Sequence, residues 1–191
     1  FAITLDYQGY GGSNYAWHKD LTAGSYLELS GSGAQSSDST YFPLSPATNT
    51  TFEIGYTLVD GMQTHAALFR SVDGFSFFGS YVGNLSSGDA GPFIYTGFQP
   101  RFIMIKNIQD SGHSWYIHDT ARSPNNYSDL ELTANSSGAE YSVMTAASVE
   151  RMDITSNGFK LRGNNVATNA NGKTHIFAAF AEVPFAKSNA R

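Results

Sequence analysis

The sequence predicts an all-β protein built as two related antiparallel β-sandwich units in tandem, and three observations carry that expectation. Charged side chains make up only 14% of the 191 residues, while 14% are aromatic and 19 residues are glycine. That balance suits turn-rich sheets better than packed helices. An ordered set of landmarks also occurs twice. Trp17, Leu27-Glu28-Leu29, Phe52-Glu53-Ile54-Gly55, Thr64-His65 and Phe69 return as Trp115, Leu130-Glu131-Leu132, Phe159-Lys160-Leu161, Thr174-His175 and Phe180. The spacing of about 105 residues far exceeds the roughly 20 to 50 of solenoid repeats, so each copy reads as a folded unit and not as one rung of an array. Third, Met152-Asp153-Ile154-Thr155 and Phe159-Lys160-Leu161-Arg162 flank Ser156-Asn157-Gly158, and Asn-Gly accepts the positive φ of a tight hairpin.

Taken in order, Phe1-Ala2-Ile3-Thr4-Leu5 has strand character from the first residue. The first unit, residues 1–78, is therefore expected to lack its N-terminal strands, and the second, residues 79–191, to be complete. After a Gly-bearing stretch, Tyr15-Ala16-Trp17-His18 returns antiparallel, as Trp115-Tyr116-Ile117-His118 does after Phe102-Ile103-Met104-Ile105. The latter run is apolar at every position and predicts a central strand covered on both faces. Leucines flanking Glu28 and Glu131 alternate with period two, which predicts inward leucines and solvated carboxylates. Residues 71–79 mix aromatics with glycines and are expected to pack against both units. Polar loops are expected at residues 30–39, 86–91 and 163–171. Thr174-His175-Ile176-Phe177-Ala178-Ala179-Phe180, preceded by the turn signal Asn171-Gly172, predicts a second central strand.

Composition excludes several function classes. Net charge is −5 and the 11 Lys and Arg are scattered, so no basic stripe invites nucleic acid. No apolar run approaches the roughly 20 residues of a membrane-spanning helix, and membrane insertion is not expected. Cysteine is absent, which removes disulfides and thiolate chemistry.

Catalytic constellations are weak. His118-Asp119, or His18 with Asp20, offers a base and a carboxylate, but neighbours on a strand point to opposite faces and no Gly-x-Ser-x-Gly elbow supplies a nucleophile. A glycosidase needs two carboxyls about 5 to 9.5 Å apart, and the acidic residues here sit singly on strands or in loops. His65 and His175 occupy matching places and so read as fold residues that close a hydrogen bond at a strand start. Neither they nor Asp89 give the ligand spacing of zinc or EF-hand sites, so no metal and no cofactor is expected. Trp17 and Trp115, being duplicated, read as core. Tyr7, Tyr10 and Tyr15 crowd the first unit's Gly-rich turn, whereas the counterpart at residues 108–114 has no tyrosine. These three are the candidate glycan or subunit contact.

Several segments of the second unit carry a resemblance: Gly79-Ser80-Tyr81-Val82-Gly83-Asn84, Pro92-Phe93-Ile94-Tyr95-Thr96-Gly97-Phe98-Gln99-Pro100, Phe102-Ile103-Met104-Ile105-Lys106, Ser156-Asn157-Gly158-Phe159-Lys160-Leu161-Arg162 and Phe180-Ala181-Glu182-Val183-Pro184-Phe185. Together they resemble a β-rich domain family found in tandem at the C-terminal ends of tail-fibre-like and other virion proteins of tailed bacteriophages. The likeness spans nearly all of residues 79–191 and, more faintly, 1–78. It implies a lectin-like or jelly-roll-like sandwich, a non-enzymatic structural or adhesive role and residence in the virion. It also implies that Arg191 is the C-terminus. A tail fibre or host-contacting appendage is the leading expectation, with a capsid decoration or other architectural protein as the alternative and a polysaccharide-degrading enzyme as a lesser one. Expected partners are sister copies, favouring a homotrimer, other virion proteins and a host surface glycan.

Overall fold

A computed structural model describes residues 1–6, 14–38, 48, 50–52, 64–86, 90–142 and 152–183. Among them the chain is all-β and antiparallel apart from one short helix. The strands are β1 (Ala2–Asp6), β2 (Tyr15–Trp17), β3 (Ser25–Glu28), β4 (Ser36–Ser37), β5 (Thr64–Leu68), β6 (Ser76–Val82) and β7 (Phe93–Tyr95). There follow β8 (Pro100–Asn107), β9 (Tyr116–Asp119), β10 (Leu130–Thr133), β11 (Tyr141–Ser142), β12 (Met152–Thr155), β13 (Gly158–Leu161), helix α1 (Val166–Asn169) and β14 (Thr174–Ala181). No helix of the described residues is long and apolar enough to cross a membrane.

Three sheets form: β4-β3-β2-β1-β5, β11-β10-β9-β8-β14-β6 and β12-β13-β7. The six-stranded sheet is the middle layer, because its side chains feed two separate cores. Ile103, Ile105, Phe177 and Ala179 pack against Ile94, Met152, Phe159 and Leu161 of the three-stranded sheet. Met104, Ile176, Ala178 and Phe78 pack against Ala16 and Leu27 of the five-stranded sheet and Leu21 of its β2–β3 connection. Odd positions of β8 thus face one neighbour and even positions the other, which is why 102–105 and 176–179 are apolar at every position. The expectation that 102–105 and 174–180 lie centrally holds.

The five-stranded order β4-β3-β2-β1-β5 is matched by β11-β10-β9-β8-β14 in the middle sheet. His65 pairs with Leu5 and His175 with Asn107; the same registers bring Ala2 against Trp17 and Met104 against Ile117. By pairing, then, Trp17 corresponds to Ile117 and not to Trp115. Their surroundings differ accordingly. Trp115 is 1% exposed between two sheets, donating from Nε1 to Glu28 O at 2.9 Å. Trp17 lies half-buried on the far face of the five-stranded sheet, edge-on to Phe52 at 5.4 Å. The identical letters sit two residues apart in register, and the second hydrophobic core is shared by both sequence halves instead of each half enclosing its own. Strand β6 also runs through position 78 and pairs along β14, so the segment at 71–79 is built into the fold, with Phe78 stacked on Phe1 at 5.6 Å.

Two further expectations are corrected. Glu28 is exposed, but Glu131 is 0% exposed, because β10 meets β9 with Leu132 opposite Ile117, which turns Glu131 inward toward His118. The segment at 163–171 is not a surface loop: Asn165 caps α1 by accepting from Ala167 N at 2.8 Å, and Ala167, Thr168, Asn169 and Ala170 are buried. Asn169 accounts for this, since its side chain donates to Ser86 O and Gly163 O and accepts from Asn84 N. These bonds satisfy loop backbone that would be costly to bury unpaired.

The predicted hairpin forms with Thr155 opposite Gly158, but Gly158 is not needed for a positive φ. A side chain there would collide with the backbone carbonyl of Ile94 on β7, so the glycine permits close strand approach. At Asn171-Gly172 the turn does use a positive φ, +70° at Gly172.

Polar bonds fasten the five-stranded sheet to the middle one. Ser32 O accepts from Gly112 N at 2.9 Å and His113 N at 3.2 Å. It also accepts from the Lys106 ammonium at 3.4 Å, which donates to His113 O at 2.7 Å as well. Lys106 is 0% exposed, and burial lowers its pKa from 10.5 to about 8.

Candidate functional site

Of the tyrosines singled out in the sequence, Tyr7 and Tyr10 lie outside the described residues. Tyr15 belongs to β2, where its ring is half-buried and meets Tyr26 edge-on at 5.2 Å. Its backbone carbonyl accepts from Thr4 Oγ1 at 3.5 Å. Tyr15 is thus held within the face of a sheet.

Three histidines, His18, His118 and His175, are buried in the scaffold. His118 faces inward and Asp119 outward, so adjacency in sequence does not become a dyad: His118 Nε2 lies 3.2 Å from Glu131 Oε2, while Asp119 binds Arg122 Nε at 2.5 Å. Tyr141 donates its hydroxyl to Glu131, completing a Tyr-Glu-His chain that begins at the surface and ends inside the sheet. Cross-strand pairing of β9 with β10 assembles it, a relation that spacing along the sequence does not display. His18 Nδ1 accepts from Asp20 N at 3.1 Å. Burial pushes the His18 pKa down to about 4, outweighing the opposing pull of Asp20. His175 stacks on Tyr81 at 5.1 Å and bonds Lys173 O at 3.1 Å; burial pushes it down to about 4 as well. Its hydrogen bond at the strand start is the one expected, whereas His65 in the matching register is exposed.

A polar cleft of about 330 Å³ opens among Gln99, Thr120, Ser123, Asn126, Ile154 and Glu182. Its polar groups are largely engaged with one another. Arg101 Nη1 binds Glu182 Oε1 at 2.6 Å, Thr120 donates to the other Glu182 oxygen and Ser123 bonds Asp129 at 2.9 Å. Asn126 accepts from Ile154 N and donates to Ile154 O, each at 2.9 Å, and so extends the β12 edge as a strand would. This arrangement ties loop 120–129 to the small sheet. Among the described residues no cluster of three or more metal-ligating side chains occurs.

A different surface has the character of a contact site. On edge strand β7, Ile94 points into the core while Phe93 and Tyr95 point outward, 48% and 64% exposed. Register places them in two rows across the outer face of the three-stranded sheet: Phe93, Lys160, Asp153 and Tyr95, Gly158, Thr155. Asp153 is bound by Arg162 Nε at 2.6 Å, and Thr155 Oγ1 donates to Gly158 O at 2.9 Å. Sequence reasoning missed this site although the signal was present. In Phe93-Ile94-Tyr95, alternation beside a core isoleucine puts two aromatics on one outer face.

A family model, described as a domain of unknown function, matches residues 5–184. No curated protein and no solved structure matches the chain.

Proposed function

We propose that the chain, which belongs to the DUF7483 family of domains of unknown function, is a non-enzymatic structural and adhesive module of a tailed-phage particle. In this reading it sits on a tail fibre or similar appendage and presents sheet faces to the host surface. The motif likeness across nearly all of residues 79–191 supports the virion setting. The adhesive part rests on one observation: Phe93 and Tyr95 stand outward on a sheet whose inner face is firmly packed. A rigid platform holds its rings in place before contact, so little ordering entropy is lost on binding. Assembly in several copies, with a homotrimer as the favoured state, multiplies weak single contacts.

Antibody labelling of purified particles tests the setting. Label on tail appendages is the expected result, whereas label spread over the head would favour the capsid-decoration alternative. Particles that carry none of the chain would refute the virion reading. Incubation with host surface polysaccharide tests the enzymatic alternative, and the expected outcome is a polymer of unchanged length.

A further inference from the structure

The outer face of the three-stranded sheet has a composition that selects one class of ligand. We propose that it is a saccharide-binding face, in which Phe93 and Tyr95 stack against the C–H faces of successive sugar rings and the Asp153–Arg162 pair and Thr155 meet their hydroxyls. This deepens the adhesive reading above and rests on it.

The argument begins with position. Residues two apart on a strand project from one face about 7 Å from each other, so Phe93 and Tyr95 form a short aromatic track along the edge of the sheet. Cross-strand from Tyr95, Gly158 offers no side chain, and its place is fixed by the approach of Ile94. The Phe93 ring reaches over Gly158, where an added Cβ would lie 3.1 Å from its Cζ, so the ground beside Tyr95 in that row is covered by the other aromatic of the track. Next in that row, Thr155 supplies a hydroxyl. In the other row, Lys160 and the ion-paired Asp153 succeed Phe93.

The occupant follows from that pattern. A second protein would be matched by contiguous apolar surface, because interface cores are depleted of charge. Here the apolar strip is one strand wide and charged or hydroxyl-bearing groups follow at once. A sugar has this same division, with an apolar C–H face for an aromatic ring and a rim of hydroxyls for a carboxylate, a guanidinium or another hydroxyl. Both rings are exposed and preorganised by the strand, and the planar Arg162 guanidinium is already oriented by Asp153.

The test is an array of bacterial capsular and O-antigen polysaccharides probed with the full chain, followed by calorimetric titration of the polymer that binds. The variants are Phe93→Ala, Tyr95→Ala, their double variant and Tyr95→Phe, each checked for an unchanged unfolding temperature. The wild-type chain is expected to bind at least one arrayed polysaccharide. Each alanine is expected to weaken affinity about 3- to 10-fold, the range of one aromatic stacking contact, while Tyr95→Phe keeps it within about 3-fold. Three results would overturn the proposal: undiminished binding by the double variant, no binding by the wild type, or a loss of self-association in place of saccharide binding. Particle labelling separates the two claims. A chain found on tail appendages that binds no polysaccharide sinks the saccharide face alone, and a polysaccharide-binding chain missing from particles sinks the virion reading alone.

Discussion

Replacing Lys106 with Met removes a buried ammonium while keeping a long unbranched stem, and the structure sets the size of the effect. Burial lowers this pKa from 10.5 to about 8, and one pKa unit is worth about 1.4 kcal/mol, so charging Lys106 in the folded chain costs at most about 3 to 4 kcal/mol. Against this stands the lost donor. Ser32 O keeps Gly112 N and His113 N as partners, so His113 O loses the shorter of the two ammonium bonds, a penalty of about 1 kcal/mol. Near pH 7 the Lys106→Met chain should therefore be more stable by about 1 to 2 kcal/mol. The sign of the pH dependence follows from proton counting. Between about pH 8 and 10.5 the unfolded chain holds a proton at Lys106 that the folded chain has released, so wild-type stability rises with pH across this window. Below it both states are charged and the full cost remains. Urea titrations of both chains at about pH 7 and about pH 10, followed by Trp115 fluorescence, should show the variant's advantage shrinking with alkalinity. A variant less stable near neutrality, with a difference that does not change with pH, would refute the reasoning.

Two other predictions concern acid and the inner carboxylate. His18 and His175 have folded pKa values near 4 against an ordinary 6.5, so stability is intact above about pH 6.5 and falls as pH drops toward about 4, where only the unfolded chain takes up those protons. Imidazole resonances that remain at neutral-form positions near pH 5, together with falling urea midpoints over the same window, check this; stability that stays flat from about pH 6.5 to 4 would overturn it. Glu131→Ala should cost about 3 kcal/mol or more by chemical denaturation, since it strips His118 and Tyr141 of a shared buried partner. A loss below about 1 kcal/mol would show that the Tyr-Glu-His chain contributes little to the fold.

How much was legible in the sequence depended on whether a pattern was local. The strands at 102–105 and 174–180 could be read because burial on both faces leaves every position of the first and nearly every position of the second apolar. The hairpin at 152–161 was legible from its turn letters, although Gly158 proved to answer to β7 and not to its own turn. Glu131 was misjudged because alternation tells which residues share a face but not which face is buried, and its pairing with His118 depends on the register of β10 against β9. The match of Trp17 to Trp115 failed for a related reason: aligning letters ignored a two-residue offset that appears only once hydrogen-bonded partners are known. The buried segment at 167–170 looked polar because Thr168 and Asn169 are polar, yet the Asn169 amide binds three loop backbone groups at once. At the candidate site, Tyr15 is half-buried beside Tyr26 on the sheet face opposite core residue Ala16, while Phe93 and Tyr95 escape notice in the sequence because they lie on a short edge strand with no repeated landmark beside it.

The junction at Ser32 bears on how this chain can diverge. Its carbonyl gathers two amide hydrogens from residues 112 and 113, groups that every amino acid except proline provides. Attachment specified by main chain is largely indifferent to side-chain drift, so related sequences could exchange the letters at positions 32 and 113 and still seat one layer on the other, whereas position 112, at a φ of +87°, favours glycine. Proline at 113 and a β-branched or bulky residue at 112 are the substitutions such lineages would be expected to avoid.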